Sequence, residues 1–231
     1  MEPQVLYADD VVLVVFKPAG LLAAPGGGGA EARPHVPGLL SPTWGPLWVV
    51  QRLDRDAAGV LLLARTPQVR RALGRALDAG RVQRVFHALV RGNPPWAQRD
   101  LTWPLRVNVG RRKRTVVAAR GGRPAHTVVR VLERFGSHAL VEAQPRTHRR
   151  HQVRVHLYAA GHPVAGDPLY GPGPLPEDPL PGLALLARHL RFPHPLTGQE
   201  VRVRAPDPPG WAQALDALRW EKALVDRETA S

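Results

Sequence analysis

The chain is 231 residues long and 44% hydrophobic, enough to bury a sizeable core, and it has no cysteine with which to form a disulfide or a thiolate metal site. No apolar run reaches the ~18 residues of a membrane span, and Met1-Glu2-Pro3-Gln4 lacks the basic-then-apolar look of a signal peptide, so a cytoplasmic protein is expected. Its 32 lysines and arginines against 19 acidic residues leave a formal charge of +13, a field that attracts polyanions in a salt-sensitive way.

Val11 to Phe16 is a continuous, mostly β-branched run that reads as a buried strand, ended by the turn Lys17-Pro18-Ala19-Gly20. Residues 25 to 46 are rich in glycine and proline, with Gly26 to Gly29 in a row, and read as a mobile loop. Leu47 to Val50 is apolar and leads into Gln51-Arg52-Leu53-Asp54-Arg55-Asp56, after which Val60 to Ala64 reads as a strand. Thr66-Pro67 has the form of an N-cap with proline at the first helical position; Val69, Leu73 and Leu77 make one apolar face, and Gly80 closes the helix. Arg70, Arg71 and Arg75 fall on or beside the opposite, solvated face.

Arg81 to Val90 alternates like a strand. Gly110-Arg111-Arg112-Lys113-Arg114 is the densest basic run and precedes Thr115-Val116-Val117, the pattern of a hairpin tip placed to meet phosphates. Ala125 to Phe135 and Ala139 to Ala143 read as antiparallel neighbours about Gly136-Ser137. His151 to Ala160 fits both periods, and Gly161 as a stop signal favours a helix. Pro172 to Pro181 is a proline-rich loop, Leu183 to Phe192 and Glu200 to Arg204 are strands, and Trp211 to Leu224 is an amphipathic helix. The order of elements predicts an α+β fold with a central mixed, largely antiparallel sheet flanked by helices and loops.

A lone carboxylate such as Asp54, set between two arginines at the mouth of an apolar strand, is either an ion-paired anchor or a nucleophile held by the surrounding cations. Residues 51 to 65 resemble the first signature of the RluA-type pseudouridine synthases, which act on large-subunit rRNA and on tRNA. Further resemblances follow in the family's order: Asp9 to Gly20, Arg84 to Gly92, His151 to Leu157, Gly161 to Gly171, and Phe192-Pro193-His194-Pro195 with Thr197-Gly198. The resemblance implies that one catalytic domain spans residues 1 to 231, with no accessory RNA-binding domain ahead of Asp9. It makes Asp54 the nucleophile, Arg154 the cation that pairs with it, and Phe86 the ring that stacks on the target base.

The family carries a tyrosine where Phe86 stands. It has Gly-Arg-Thr-His-Gln where this chain has His148-Arg149-Arg150-His151-Gln152, and a longer, more helical segment in place of residues 25 to 46. Breaking and remaking a bond between uracil and ribose involves no net redox change, so neither a metal nor an organic cofactor is expected. His148, His151 and His156 lack a supporting carboxylate for a metal site.

The expected partner is structured RNA, rRNA or tRNA, bound by a monomer away from membranes. A buried aspartate requires the target nucleotide to be flipped out. Arg52, two positions before Asp54 in extended chain, would fill the gap in the stack. Arg111, Arg112, Lys113, Arg114, Arg149 and Arg150 would meet phosphates, and Arg150, Arg154 and Tyr158 would share one helix face. The competing readings are a non-catalytic RNA-binding or ribosome-assembly factor, and a sugar hydrolase.

Overall fold

A computed structural model of the chain describes residues 2–26, 33–111 and 114–229. The chain forms two compact units, the first from residues Met1–Val85 and Leu186–Pro208, the second from Phe86–Leu185 and Pro209–Ser231.

In the first unit the strands are β1 (Gln4–Ala8), β2 (Val12–Lys17), β3 (Trp48–Val49), β4 (Ala58–Ala64), β11 (Leu185–Pro193, from Leu186 on) and β12 (Glu200–Arg204). They run in the order β1-β2-β4-β11, with β12 paired to β11 and β3 to β4. Every pairing among them is antiparallel except that of β4 with β11, in which Ala58 faces Leu186 and Gly59 faces Ala187. Strands β2 and β4 are buried throughout, as their unbroken apolar runs require.

Helix α2 (Pro67–Asp78) begins as expected, with Thr66 Oγ1 accepting from Val69 N at 3.2 Å, and buries Val69, Leu73, Ala76 and Leu77. Asp9, in the first resemblance, accepts from the N–H groups of Val11 and Val12 and from Tyr7 Oη. His194 Nε2 lies 3.0 Å from its carboxylate, so this motif and the Phe192-Pro193-His194 motif are two halves of one structural tie.

One stretch of the first unit departs from expectation. Residues 36 to 44, read as loop, form helix α1 (Val36–Trp44), capped by the His35 imidazole accepting from Gly38 N at 3.0 Å. Val36 N donates to Leu22 O, so contacts from outside the segment hold a turn of chain that its glycine and prolines disfavour. Gly27 to Gly29 lie outside the described residues.

The second unit holds β5 (Gln83–Arg91, from Phe86 on), β6 (Gln98–Leu101), β9 (Thr127–Arg134) and β10 (His138–Pro145), ordered β5-β10-β9-β6 and all antiparallel. Strands β7 (Leu105–Val109) and β8 (Arg114–Val117) pair antiparallel in a separate two-stranded sheet, on either side of the basic run. Helix α3 (Gln152–Ala159) and helix α4 (Trp211–Thr229) complete the unit. Leu105, Ala125, Val155 and Tyr170 pack into one cluster, which fixes the hairpin and α3 around a single tyrosine.

The proline-rich loop is ordered by a buried acid. Asp178 takes both forks of Arg91, accepts from the N–H groups of Gly166 and Leu175, and faces His138 Nε2 at 3.5 Å. Burial would raise this carboxyl, but Leu175 N–H and Arg91 outweigh it and hold it below the usual range.

Candidate active site

The Asp54 loop is buttressed from below. Burial alternates from Gln51 to Asp54: Gln51 and Leu53 are buried, Arg52 is exposed and Asp54 is half-buried. Arg52 and Asp54 are therefore the more accessible positions of this stretch, alternating with buried Gln51 and Leu53. Gln51 Oε1 accepts from Leu62 N at 3.2 Å, and Val50 N donates to Leu62 O, pinning the approach to β4. Arg55 pairs with Asp56, Nε to Oδ1 at 2.8 Å.

Lys17 fixes the same loop and was not singled out by the sequence reading. Its side chain is 0% exposed, and Nζ donates to the carbonyls of Pro18, Leu21 and Arg55 at 2.8 to 2.9 Å. Burial lowers its pKa to about 7, against the opposing pull of Asp56 and Asp54. With Gly20 N donating to Arg55 O at 2.9 Å, the turn after β2 is stapled to the residue following Asp54. Gly59 allows the rest: its φ is +124°, and a Cβ there would sit 2.3 Å from Ala187 O, so only glycine lets β11 approach β4 this closely.

In the second unit, Arg154 lies on α3 and is 3% exposed. Its guanidinium forks onto Asp167, Nε to Oδ2 and Nη2 to Oδ1, both at 2.7 Å. Burial would raise the Asp167 carboxyl, but Arg154 and the N–H groups of Leu169 and Tyr170 outweigh it, so it is held below the ordinary carboxylate range.

Tyr170, 2% exposed, is the hub of this cluster. The guanidinium carbons of Arg154 and Arg114 each lie 5.2 Å from its ring centroid. Its hydroxyl accepts from Thr115 N at 2.9 Å and sits 2.8 Å from His151 Nδ1. His151 adopts a left-handed conformation, φ 54°, uncommon for a residue with a side chain and here the N-terminal cap position of α3.

Gln152 and His156 anchor α3. Gln152 Oε1 accepts from Thr147 Oγ1 and Arg149 N, while its Nε2 donates to His126 O and Thr127 Oγ1. His156 Nε2 faces Trp103 O at 3.0 Å and Nδ1 faces Thr127 Oγ1 at 2.9 Å, an arrangement met by a neutral ring protonated on Nε2. Burial lowers its pKa accordingly.

Of the other residues expected to act, Phe86 is buried on β5 opposite Ala143. Arg111 is exposed and Arg114 half-buried at the hairpin; Arg112 and Lys113 lie outside the described residues. Arg149 Nε donates to Pro124 O, and Arg150 Nη1 donates to Asn108 Oδ1 on β7. The helix begins only at Gln152, and Tyr158 is 49% exposed, so Arg150, Arg154 and Tyr158 do not form the shared helix face expected of them. Asp167 and Tyr170 were legible only as part of the Gly161 to Gly171 resemblance, with no role attached.

The fold is that of the pseudouridine synthases. The solved structure "Human RNA Pseudouridylate Synthase Domain Containing 1" superposes with a TM-score of 0.75 over 94% of this chain and 95% of that one, at 26% identity. "Human RNA Pseudouridylate Synthase Domain Containing 4" shares the fold at a TM-score of 0.76 and 24% identity, over 94% of this chain and 93% of its own. A family model described as RNA pseudouridylate synthase matches residues 11–159.

Among curated relatives, ribosomal large subunit pseudouridine synthase C of Pasteurella multocida is 36% identical over 96% of this chain and 70% of its own. Ribosomal large subunit pseudouridine synthase D of Neisseria meningitidis is 36% identical over 97% of this chain, which spans 63% of that relative's length. The chain belongs to the RNA pseudouridylate synthase family.

Proposed function

We propose that this chain isomerises a uridine in structured RNA to pseudouridine, with large-subunit ribosomal RNA as the substrate class, and that Asp54 is the nucleophile. The observation that supports this reading best is the setting of Asp54: half-buried, in a loop held by buried Gln51 and Leu53 on one flank and by the Lys17 clamp on Arg55 O on the other. A carboxylate so fixed keeps its lone pairs in a defined direction, which a nucleophile needs and a flexible surface acid lacks.

The reaction cleaves the bond between ribose C1′ and uracil N1, turns the base, joins C1′ to C5 and releases the C5 proton. The carboxylate of Asp54 attacks sugar or base to open that sequence. Arg154 takes the role its motif carries in the family, stabilising the ionised nucleophile, and its pair with Asp167 fixes the plane of the guanidinium. Phe86 offers a ring but no hydroxyl to the base, Arg52 fills the vacated place in the RNA stack, and Arg111, Arg112, Lys113, Arg114, Arg149 and Arg150 meet phosphates.

Unmodified large-subunit rRNA and tRNA transcripts, incubated with the chain and digested to nucleosides, should yield pseudouridine with no free uracil. Free uracil in place of pseudouridine would identify a hydrolase. A second reading, an RNA-binding protein without turnover, draws on the missing hydroxyl at Phe86; RNA binding without pseudouridine in either wild type or Phe86→Tyr would establish it.

A further inference from the structure

We infer that the outward face of β11 and β12 in the first unit is a phosphate-binding groove for the RNA backbone, a contact surface separate from the basic hairpin. The inference rests on the reading that the substrate is RNA. A groove of about 290 Å³ is lined there by His189, Arg191, Arg202, Arg204 and Gln83, among others. The antiparallel register sets Arg191 directly opposite Arg202, and His189 directly opposite Arg204. Side chains two apart on a strand share a face, so all four lie on one side, in two rows roughly 7 Å apart by strand rise.

Like charges placed directly opposite each other weaken a sheet. A single carboxylate, Glu200, answers Arg191 and Arg202 together. Among the described residues Arg204 makes no ion pair with an acid. Glu200 takes only part of two forks that each carry five N–H donors, so both arginines keep donors for a second anion. The exposed positions of β12 are Glu200, Arg202 and Arg204, and its inward ones Val201 and Val203, so folding alone is served by the valines.

Protecting an edge strand from pairing needs charge of either sign; three arginines around one concavity favour a polyanion. Arginine forks match phosphate oxygens, and the two rows suit successive phosphates of one strand.

The test uses the full chain and an unmodified large-subunit rRNA transcript, with dissociation constants measured across a salt series. R202Q/R204Q should raise the dissociation constant about tenfold near physiological salt and lower the slope of log K against log salt by about one per lost phosphate contact. R71Q/R75Q removes the same charge from the solvated face of α2 and should shift binding by less than about twofold. R202K/R204K, which keeps the charge and loses the forks, should restore the slope while staying a few-fold weaker than wild type.

Wild-type affinity and slope in R202Q/R204Q, or equal losses in both glutamine pairs, would overturn the assignment. Thermal melts check that each variant folds; should R202Q/R204Q fail to, the lysine pair decides, and wild-type affinity there overturns the assignment. Absence of pseudouridine formation by wild type would instead defeat the proposed activity, since the groove is judged on binding alone.

Discussion

Taking the Arg154 guanidinium out of water costs several kcal/mol unless a carboxylate goes with it, and Asp167 supplies that carboxylate in a two-pronged fork. Asp167→Asn would leave a buried cation facing a neutral amide and should destabilise the protein by about 3–5 kcal/mol, read as a fall in denaturation midpoint. The pair also sets an acid limit. Asp167 has a lower pKa folded than unfolded, so over that interval the unfolded state binds more protons and stability rises with pH. Its contribution is complete above the ordinary carboxylate value of about 4 and lost as pH falls through the folded value, so Asp167→Asn should flatten the acid limb of a stability-pH curve.

Asp54 could be picked out from the sequence because its signature is local and contiguous. The Asp167 that forks with Arg154 could not, because it lies 13 residues away beyond a helix end, and no helical or strand period links the two. Lys17 was equally silent: a lysine after a strand reads as solvated, and only the fold surrounds it with three carbonyls. Lys17→Met should take this donor from the Pro18 and Leu21 carbonyls, while Arg55 O keeps Gly20 N, a loss of about 1–3 kcal/mol for each carbonyl left bare that water does not reach, measurable by chemical denaturation.

Among the elements, strand β12 matches its expected limits, Glu200 to Arg204, because polar and apolar residues alternate there without interruption. Helix α2 starts where Thr66-Pro67 said it would, since its cap and first turn are local chemistry. Helix α1 could not be read, because Pro37, Gly38 and Pro42 argue against a helix that bonds from outside the segment, such as Val36 N to Leu22 O, sustain. The short strands β1, β3 and β6 also went unmarked. They have two to five residues and, in β6, a mostly exposed polar face, so their pairing partners define them.

The parallel contact of β4 with β11 depends on Gly59. Gly59→Ala would press a methyl group against the Ala187 backbone at a φ that alanine disfavours, and should cost several kcal/mol, seen as a large fall in melting temperature.

Across the whole molecule, 32 basic residues against 19 acids predict that RNA affinity falls steeply with salt, by about 0.7 to 0.9 in log–log slope for each phosphate engaged. A titration of RNA binding from low to physiological ionic strength checks this; a flat profile would mean that charge plays little part. The α+β class was legible from the order of elements. The division into two units was not, because two of the three crossings between them fall within β5 and β11, where neither glycine, proline nor a change in composition marks a boundary; only the third, at Pro208-Pro209-Gly210, is marked.

The central claim concerns one carboxylate and one carbon–hydrogen bond. RNA carrying tritium at uridine C5 reports on both, because joining C5 to the sugar must expel the label. Wild type should release tritium in step with pseudouridine formed, and Asp54→Asn, similar in size but without the nucleophilic charge, should release none while still binding RNA. Release by Asp54→Asn at the wild-type rate would contradict the account.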